Sequence, residues 1–555
     1  MLSVAGFLSW HALSIQVLNN DFLQNQGDAR HLRVVSVPAN RGMILDRNGE
    51  ALAVSTPIAS VWADPQSFDF DNQALSQLST LIDKPLWELK KMVADRKDKE
   101  FVYLKRHIDP DLAEKVANLD VPGVQLQREY RRYYPSGEVA GHLLGFTNVD
   151  DNGQEGLELA FDEKLNASDG KQRVVKDRLG RIIRAIEMIE PARSGQNVML
   201  SIDRRLQYIA YRELKKAVQQ HGAKSGSLVL LDVNSGEVIA QVNQPTFNPN
   251  NRSQLLTDNY RNRAVIDVYE PGSTMKPFTI AAALKAKSVS VETVVDTAPG
   301  YVRVGDKRIS DFRNYGRLDV PTIIQKSSNV GVSQIALRIP KEDMWETFSD
   351  FGFGEYPSSQ FPGETNGVLP FYGTWQNIQQ ATLSYGYGLS VSTLQLAQAY
   401  AVLANGGIRK PVTYLKVDKL SPASEQDGVR VIDEDIADQL VEMMERVVSR
   451  EGTGVRASIE GYRVAGKTGT AKKLDETGYT EDKYLSLFAG MAPASNPRLV
   501  AVVTIDEPGK GDYYGGKVAA PVFASVMSAA LRILNIPPDN VYTEPLQMAR
   551  VGDDL

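Results

Sequence analysis

The stretch Glu270-Pro271-Gly272-Ser273-Thr274-Met275-Lys276-Pro277 organises the rest of the chain. If it opens a helix, Ser273 and Lys276 lie on one face about one turn apart, and the amine can approach the hydroxyl. Pro277 favours a helix start, because proline is tolerated in the opening turns, and Gly272 allows close approach to Ser273. A serine hydroxyl needs an adjacent base to act as a nucleophile. The stretch therefore indicates a serine activated by lysine, although a Pro-Gly turn before an ordinary helix fits the same letters.

Two further signals lie in the same half of the chain. Ser327-Ser328-Asn329 opens a predicted helical segment, and Lys467-Thr468-Gly469-Thr470 lies on a predicted strand. Together with Ser273 and its lysine, they supply the groups needed for acyl transfer on a substrate that carries a carboxylate. Lys467, Thr468 and Thr470 can bind that carboxylate by charge-assisted hydrogen bonds, and Gly469 lets the strand edge come close. Histidine offers no alternative base, because none of the five follows Ser273 or closely precedes it: His11, His31, His107, His142 and His221.

A phosphate-binding loop is the rival interpretation of the third signal. Residues 461–468 match the pattern G-x-x-x-x-G-K-[ST], and the apolar run ending at Asp506-Glu507 imitates the metal-binding strand of such proteins. The pattern has meaning only between a strand and a helix. Here residues 463–465 are typical of a strand, and residues 474–483 predict a loop instead of a helix. The context therefore disfavours nucleotide binding.

The sequence after His221-Gly222 predicts an α+β domain. Residues 227–233 and 237–242, joined by Asn234-Ser235-Gly236, predict a β-hairpin. The pattern further predicts helices after Ser273, around Ser327, and over 392–404, 433–450 and 519–534, with strands over 463–471, 485–491 and 499–505. A strand pair, a helical middle, then three strands and a helix indicate one antiparallel sheet covered by helices.

The preceding region predicts mixed α/β structure. Asn48-Gly49 between two apolar segments signals a hairpin, residues 72–119 predict short amphipathic helices, and Asp203 caps a helix running to about Gln220. Short strands are expected over 172–175 and 197–202. Glu155 and Glu158 could suggest paired carboxylates, but a helix-start role is favoured, and the charged and aromatic block 128–135 is interpreted as structural.

Composition narrows the function further. The 555 residues suffice for several domains, and 42% hydrophobic and 23% charged residues are typical of globular protein. A net charge of −6 without long basic runs argues against a nucleic-acid binder. The absence of cysteine removes disulfides, thiol catalysis and cysteine-bound metal; no cofactor is expected. Met1–Leu18 predicts an apolar helix, either the outer half of a membrane anchor or an interfacial helix.

The three signals, in order, resemble the S-x-x-K, S-x-N and K-[ST]-G signatures of penicillin-binding proteins and serine β-lactamases. Residues 270–277, 326–331 and 467–470 look like the class B penicillin-binding proteins in particular. Residues 36–49 and 62–65 are similar to their division-specific FtsI type. The resemblance runs from about residue 20 to about 535 and implies a periplasmic D,D-transpeptidase that cross-links septal peptidoglycan and is inhibited by β-lactams.

The resemblance also implies roles for single residues. Ser273 would be the nucleophile that becomes the acyl-ester, and Lys276 would take its proton. Ser327 would relay a proton to the leaving D-alanine, and Asn329 would orient Lys276 and the substrate amide. Lys467 would supply positive potential. The other implied groups are Thr468 and Thr470 on the terminal carboxylate, the N–H groups of Ser273 and Thr470 as the oxyanion hole, Gly469 at the strand edge, and Tyr513 and Tyr514 on the acceptor side.

Domain boundaries and partners are likewise implied. We expect an anchor remnant over 1–20, a non-catalytic pedestal of the dimerisation type over 21–200, the transpeptidase domain over 201–540 and a C-terminal tail over 541–555. The expected partners are D-Ala-D-Ala stem peptides, β-lactams, an FtsW-type glycosyltransferase and other division proteins, with no nucleic acid. The expected location is the bacterial inner membrane at the septum, through one N-terminal helix, with the catalytic domain in the periplasm.

Three alternatives stay open on the sequence. A carboxypeptidase or β-lactamase would use the same serine with water as acceptor, but the E-x-x-x-N arrangement of class A β-lactamases does not occur between Asn329 and Lys467. A non-catalytic β-lactam sensor would retain the acylation site without turnover. An elongation-type role would change the cellular process but not the chemistry.

Overall fold

The computed structural model describes Gly6, Trp10 and residues 32–176, 182–251, 259–417, 428–475 and 478–540. Apart from Gly6 and Trp10, which are helical, the segment Met1–Leu18 lies outside the described residues, as does the tail 541–555. Within the described ranges, every helix is too short or too polar to span a bilayer.

Two sheets build the N-terminal region. One has the order β1-β6-β7, and in the other the long strand β3 pairs with β2, β4 and β5, while β2 also pairs with β8. The strands are β1 Leu32–Val37, β2 Ile44–Leu45, β3 Ala51–Ala63, β4 Val102–Ile108, β5 Val124–Tyr133, β6 Gly170–Lys176, β7 Ile182–Glu190 and β8 Val198–Met199. The helices here are Leu75–Leu81, Leu86–Ala94, Pro110–Ala117, Gly141–Leu144, Gly156–Ala160 and Asp162–Leu165, with a 3₁₀ turn at Gly137–Val139.

The hairpin predicted at Asn48-Gly49 joins β2 to β3. Asp46 stabilises the turn, because its Oδ1 accepts the backbone N–H groups of Asn48 (2.8 Å) and Glu50 (2.9 Å). Gly49 has a φ of +87°, which only glycine adopts readily. Turn chemistry therefore explains the motif fully.

Two segments differ from their predicted structure. Residues 102–108 form strand β4 inside the stretch predicted as helical, because Leu104 and Ile108 turn into the pedestal core against β3 and the helices. The predicted loop over 474–483 is instead the end of a hairpin, in which Leu474 pairs with Tyr479. Strand pairing with a distant partner overrides local propensity in the first case.

Glu158 occupies the centre of a buried ionic cluster. Its carboxylate accepts hydrogen bonds from Arg41 Nε (2.8 Å) and Arg132 Nε (2.6 Å), and all three side chains are almost fully excluded from solvent. Glu158 lies in the first turn of helix Gly156–Ala160, as the helix-start interpretation predicted, and it also joins three distant segments of the pedestal. The cluster also supports the structural interpretation of the block that contains Arg132.

A five-stranded antiparallel sheet forms the core of the C-terminal domain, in the order β10-β9-β19-β18-β17. Its strands are β9 Ser225–Asp232, β10 Val238–Gln244, β17 Ala465–Asp475, β18 Gly478–Ala492 and β19 Leu499–Asp506. The helices are Arg204–His221, Arg263–Ile266, Lys276–Lys285, Val320–Lys326, Asn329–Ala336, Lys341–Asp350, Asn377–Leu383, Thr393–Ala404, Glu434–Val448, Gly515–Val518 and Ala520–Ile533, with 3₁₀ turns at Gly272–Met275, Tyr372–Thr374 and Val455–Ala457. Three two-stranded ribbons lie outside the sheet: β11 Val294–Asp296 with β14 Arg317–Asp319, β12 Tyr301–Val304 with β13 Lys307–Ser310, and β15 Ile408–Arg409 with β16 Val429–Arg430.

Helices cover both faces of this sheet, as predicted. Along β19, Leu499, Ala501 and Val503 pack in the core that includes helices Arg204–His221 and Ala520–Ile533. The alternate residues Val500 and Val502 pack in the other core, with helices Lys276–Lys285 and Thr393–Ala404. Since successive side chains of a strand point to opposite faces, burial on both sides explains why residues 499–503 of β19 are all apolar. The outer strand β17 is left as an edge.

Candidate active site

A 3₁₀ turn, Gly272–Met275, carries Ser273, and the α-helix Lys276–Lys285 follows directly. The backbone N–H of Lys276 donates to the carbonyl oxygen of Ser273. Side chains three residues apart are eclipsed in a 3₁₀ helix, so Ser273 and Lys276 share a face, as the spacing predicted. Ser273 remains partly exposed, whereas Lys276 is fully buried.

Glycines let this turn fit tightly between two other segments. Gly272 has a φ of +55°, and its N–H donates to the carbonyl oxygen of Gly386 (3.2 Å). A Cβ on Gly386 would lie 2.1 Å from the carbonyl oxygen of Gly272, and a Cβ on Gly469 would lie 3.0 Å from Thr274 Cγ2. The turn is therefore held between the loop at Gly386 and the edge strand β17.

Ser327 lies at the end of helix Val320–Lys326, immediately before helix Asn329–Ala336. Its φ of 58° and ψ of 41° are left-handed, a conformation that costs free energy for a residue with a side chain. Its Oγ lies 3.0 Å from Lys276 Nζ and 2.9 Å from Lys467 Nζ. A strained backbone thus places one hydroxyl between two amines.

Both amines are fully buried, and burial lowers the pKa of each. The pKa of Lys276 is well below its ordinary value, because desolvation and the charge of Lys467 outweigh the attraction of Asp311. Desolvation lowers the pKa of Lys467 to about 7. The two sites are coupled, and because the charge of Lys467 is one cause of the lowered pKa of Lys276, the arrangement favours a state in which Lys276 is neutral while Lys467 carries the proton.

Lys276 Nζ also donates to Asn329 Oδ1 (2.7 Å) and to the carbonyl oxygen of Ser327 (2.5 Å). A neutral amine has two N–H donors and one lone pair, so these two bonds use both donors and leave the lone pair to accept a proton. Among the described residues, no hydrogen bond joins Lys276 Nζ to Ser273 Oγ. Bonds between catalytic groups are often long before substrate binds.

Asp311 is a site residue that sequence reasoning missed. Its Oδ1 accepts the N–H groups of Asn329 (2.5 Å) and Val330 (3.0 Å), and its Oδ2 accepts from Ser328 Oγ (2.5 Å). It therefore fixes the start of the helix that carries Asn329. No spacing signal could have found it, because the contact depends on how the ribbon β12–β13 folds back.

The strand β17 alternates in what it faces. Lys467, Gly469 and Ala471 face Ser327 and the turn Gly272–Met275, which we call the nucleophile turn because Ser273 is the expected nucleophile. Thr468 and Thr470 point to the other face. There Thr468 Oγ1 shares a hydrogen bond with Thr453 Oγ1 (2.7 Å), and Thr470 Oγ1 accepts the N–H of Gly515 (3.1 Å). Thr470 is partly exposed on this edge strand, whereas Thr468 is buried. The strand after Lys467-Thr468, with no helix following, also bears out the argument against a phosphate-binding loop.

Tyr513 and Tyr514 belong to a stack of three aromatic rings. The ring of Tyr513 lies 4.1 Å from that of Tyr484 and 4.5 Å from that of Tyr514. Ser486 Oγ, on the strand next to β17, donates to the carbonyl oxygen of Tyr513 (2.6 Å). The stack therefore borders the edge strand. Tyr484 was missed because it lies between the predicted loop 474–483 and the predicted strand 485–491.

Comparisons with known proteins agree with this geometry. Residues 226–528 match the model of the penicillin binding protein transpeptidase domain, and residues 36–200 match that of the penicillin-binding protein dimerisation domain. The chain is 44% identical over 549 residues to the peptidoglycan D,D-transpeptidase FtsI of Escherichia coli, covering 98% of this chain and 92% of that protein.

Solved structures give the same result. The transpeptidase domain of penicillin-binding protein 3 from Burkholderia pseudomallei is 43% identical, with a TM-score of 0.57, covering 61% of this chain and 97% of that one. A peptidoglycan synthetase from Bifidobacterium adolescentis is 25% identical, with a TM-score of 0.72, covering 92% of this chain and 98% of that one. The chain therefore belongs to the penicillin-binding proteins, as a class B member of the FtsI type.

Proposed function

We propose that this protein is a serine-type peptidoglycan D,D-transpeptidase that cross-links the stem peptides of septal cell wall, releases D-alanine and is inhibited covalently by β-lactams. The observation that carries the proposal is the pair of fully buried amines, Lys276 and Lys467, on either side of Ser327 Oγ and next to the turn that bears Ser273. Such a site can hold one amine neutral as a base while the other stays cationic.

In the acylation step, Ser273 Oγ attacks the carbonyl carbon of the penultimate D-alanine. Its proton passes to the lone pair of Lys276, which burial keeps available. The N–H groups of Ser273 and Thr470 stabilise the resulting oxyanion, a contribution commonly worth about 3 kcal/mol per donor. The C–N bond then breaks. Terminal D-alanine leaves as an amine after it receives a proton through Ser327.

In the second step, the amine of an acceptor stem attacks the ester carbon of acyl-Ser273. Ser327 and Lys276 now accept a proton from that amine and return one to Ser273 Oγ as the ester bond breaks. Asn329 keeps Lys276 in place through its amide oxygen. The stack that contains Tyr513 and Tyr514 borders the acceptor side.

Recognition of the substrate's terminal carboxylate falls to β17. Lys467 supplies the positive charge, and Thr468 and Thr470 supply hydroxyl donors at the strand edge, where Gly469 permits close approach. A carboxylate favours the protonated form of a neighbouring amine, so substrate binding raises the pKa of Lys467 above its unliganded value of about 7.

Intact-mass measurement after exposure to a penicillin tests the proposal. We expect one covalent adduct that hydrolyses slowly, that is lost in Ser273→Ala, and that persists in the matched control Ser76→Ala, whose serine is exposed on a pedestal helix. Rapid release of hydrolysed drug would favour a β-lactamase. Acylation without cross-linking of lipid-linked glycan substrate would favour a sensor.

We further propose the division into an anchor segment (1–20), pedestal (21–200), transpeptidase domain (201–540) and tail (541–555), with the anchor in the inner membrane and the remainder in the periplasm. An FtsW-type glycosyltransferase and other division proteins are the proposed partners, on the strength of the similarity to FtsI. We expect a fluorescent fusion of the protein to collect at the septum and to lose that position when residues 1–20 are removed. Uniform labelling of the cell envelope would favour an elongation role.

A further inference from the structure

Glu270 lies three residues before Ser273 and is partly buried. Its Oε1 accepts two hydrogen bonds, from the backbone N–H of Gly388 (2.8 Å) and from the hydroxyl of Tyr479 (3.0 Å). Its Oε2 is excluded from solvent and has no hydrogen-bond partner among the described residues. Nothing in the acylation steps above uses this carboxyl group.

Tyr479 belongs to the end of the hairpin formed by β17 and β18, where it pairs with Leu474. Its ring packs edge-on against Tyr387, with ring centres 5.4 Å apart. The hydroxyl of Tyr387 in turn accepts the backbone N–H of Lys472 (3.2 Å). The hairpin is therefore attached to the loop at residues 387–388 directly and, through Glu270, to the segment that leads into the nucleophile turn.

These contacts flank the place where the nucleophile turn meets β17. A Cβ built on Gly272 would lie 3.4 Å from Ala471 Cβ and 3.6 Å from the carbonyl oxygen of Thr470. The two N–H groups proposed for the oxyanion hole belong to Ser273 on the turn and Thr470 on the strand. Their spacing depends on how firmly turn and strand are held together, because such donors act only when placed in advance.

We propose that Glu270 is a positioning residue, which fixes the hairpin of β17 and β18 against the nucleophile turn through Tyr479 and so sets the distance between the two oxyanion-hole donors. The inference rests on the proposed function and adds a residue to it. The fixing contacts need an acceptor oxygen at Oε1, and they do not need a negative charge.

That distinction makes the role testable. Glu270→Gln retains an oxygen that can accept both bonds but removes the charge, whereas Glu270→Ala removes both. Tyr479→Phe removes only the hydroxyl donor. Tyr208→Phe makes the same change at an exposed tyrosine on helix Arg204–His221 and serves as the control. Thermal melting of each variant verifies that it is folded.

The experiment measures the second-order rate of acylation by a fluorescent penicillin, together with amide hydrogen exchange of residues 471–475 and 478–484. We expect Glu270→Ala and Tyr479→Phe each to slow acylation about tenfold and to speed exchange of the hairpin, since each loses a hydrogen bond to a charged or buried group. The double variant should be no slower than Glu270→Ala. Glu270→Gln should stay within about threefold of the unchanged protein, because it conserves the acceptor, and Tyr208→Phe should match the unchanged protein.

Equal slowing of acylation in Glu270→Gln and Glu270→Ala would overturn the inference in favour of a charge-dependent role. Unaltered acylation in Tyr479→Phe would also overturn it, because the contact through Tyr479 would then not matter for the rate. If the unchanged protein is not acylated at all, the proposed function fails instead. The exchange measurement would then still report whether Glu270 holds the hairpin.

Discussion

Replacing Lys467 by methionine tests how the two buried amines depend on each other. Methionine keeps the length and burial of the side chain but removes its charge. Lys276 acts as a base only when neutral, so acylation rises with pH through the pKa of Lys276. The charge of Lys467 lowers that pKa. Without it, the rising limb of the pH profile should move to higher pH.

The size of the shift follows from the geometry. The two nitrogens lie 3.0 and 2.9 Å from the same oxygen, Ser327 Oγ, so they are separated by no more than about 6 Å. Two unit charges at that distance repel by about 3 kcal/mol at an effective dielectric constant of ~20, which corresponds to about two pH units. The falling limb near pH 7, which we assign to loss of the Lys467 cation, should disappear.

The assay is the second-order rate of acylation of Ser273 by a penicillin, followed over pH by intact mass. The overall rate should also fall, since carboxylate recognition is weakened. The coupling is tested by the pH at which the rising limb lies, which does not depend on the overall rate. The control is Lys285→Met. Lys285 is exposed, lies on the helix that begins at Lys276 and pairs with Asp350, so its replacement should leave the pH profile unchanged. A rising limb that stays in place or moves to lower pH in Lys467→Met would refute the coupling.

Three further predictions follow from other contacts. Asp311→Asn should move the same rising limb to lower pH, because the carboxylate raises the pKa of Lys276; a shift to higher pH would contradict this. Gly386→Ala should slow acylation roughly 100-fold, since its Cβ would lie 2.1 Å from Gly272 O and displace the nucleophile turn. The control Gly305→Ala adds a Cβ at a similar positive φ in open space, and equal loss there would implicate strain alone. Glu158→Ala should lower the free energy of unfolding of the pedestal by about 3 to 5 kcal/mol, because it removes the carboxylate that pairs with buried Arg132 and one of the two that pair with buried Arg41. Urea denaturation measures this, with exposed Glu163→Ala as the control that should change little.

The spacing of residues close together in the sequence predicted the features that depend only on the local backbone. The S-x-x-K spacing of Ser273 and Lys276 placed both on one face, and the turn signal at Asn48-Gly49 gave the hairpin. The apolar runs over 227–233 and 499–505 predicted the strands β9 and β19 of the central sheet. These features depend on residues within a few positions of each other, so one sequence suffices to recognise them.

Other features depend on contacts between distant segments and left no local signal. Asp311 caps the helix of Asn329 from a ribbon, and Thr453 meets Thr468 from a separate loop. Strand β4 was predicted as helix because its pairing with β3 is decided by tertiary contacts. The left-handed conformation of Ser327 likewise reflects its position between two helices and two lysines, and nothing in its neighbours' identity required it.

The glycines around the nucleophile turn limit how this enzyme can escape inhibition. A Cβ would clash with the turn at Gly386 and press tightly against it at Gly469, so a side chain added at either position would displace the turn that carries Ser273. Variants that exclude a drug yet still admit a stem peptide are therefore expected away from these two glycines, for example at the tyrosine stack or along the hairpin that extends β17. Those two borders are where surveillance for resistance should concentrate.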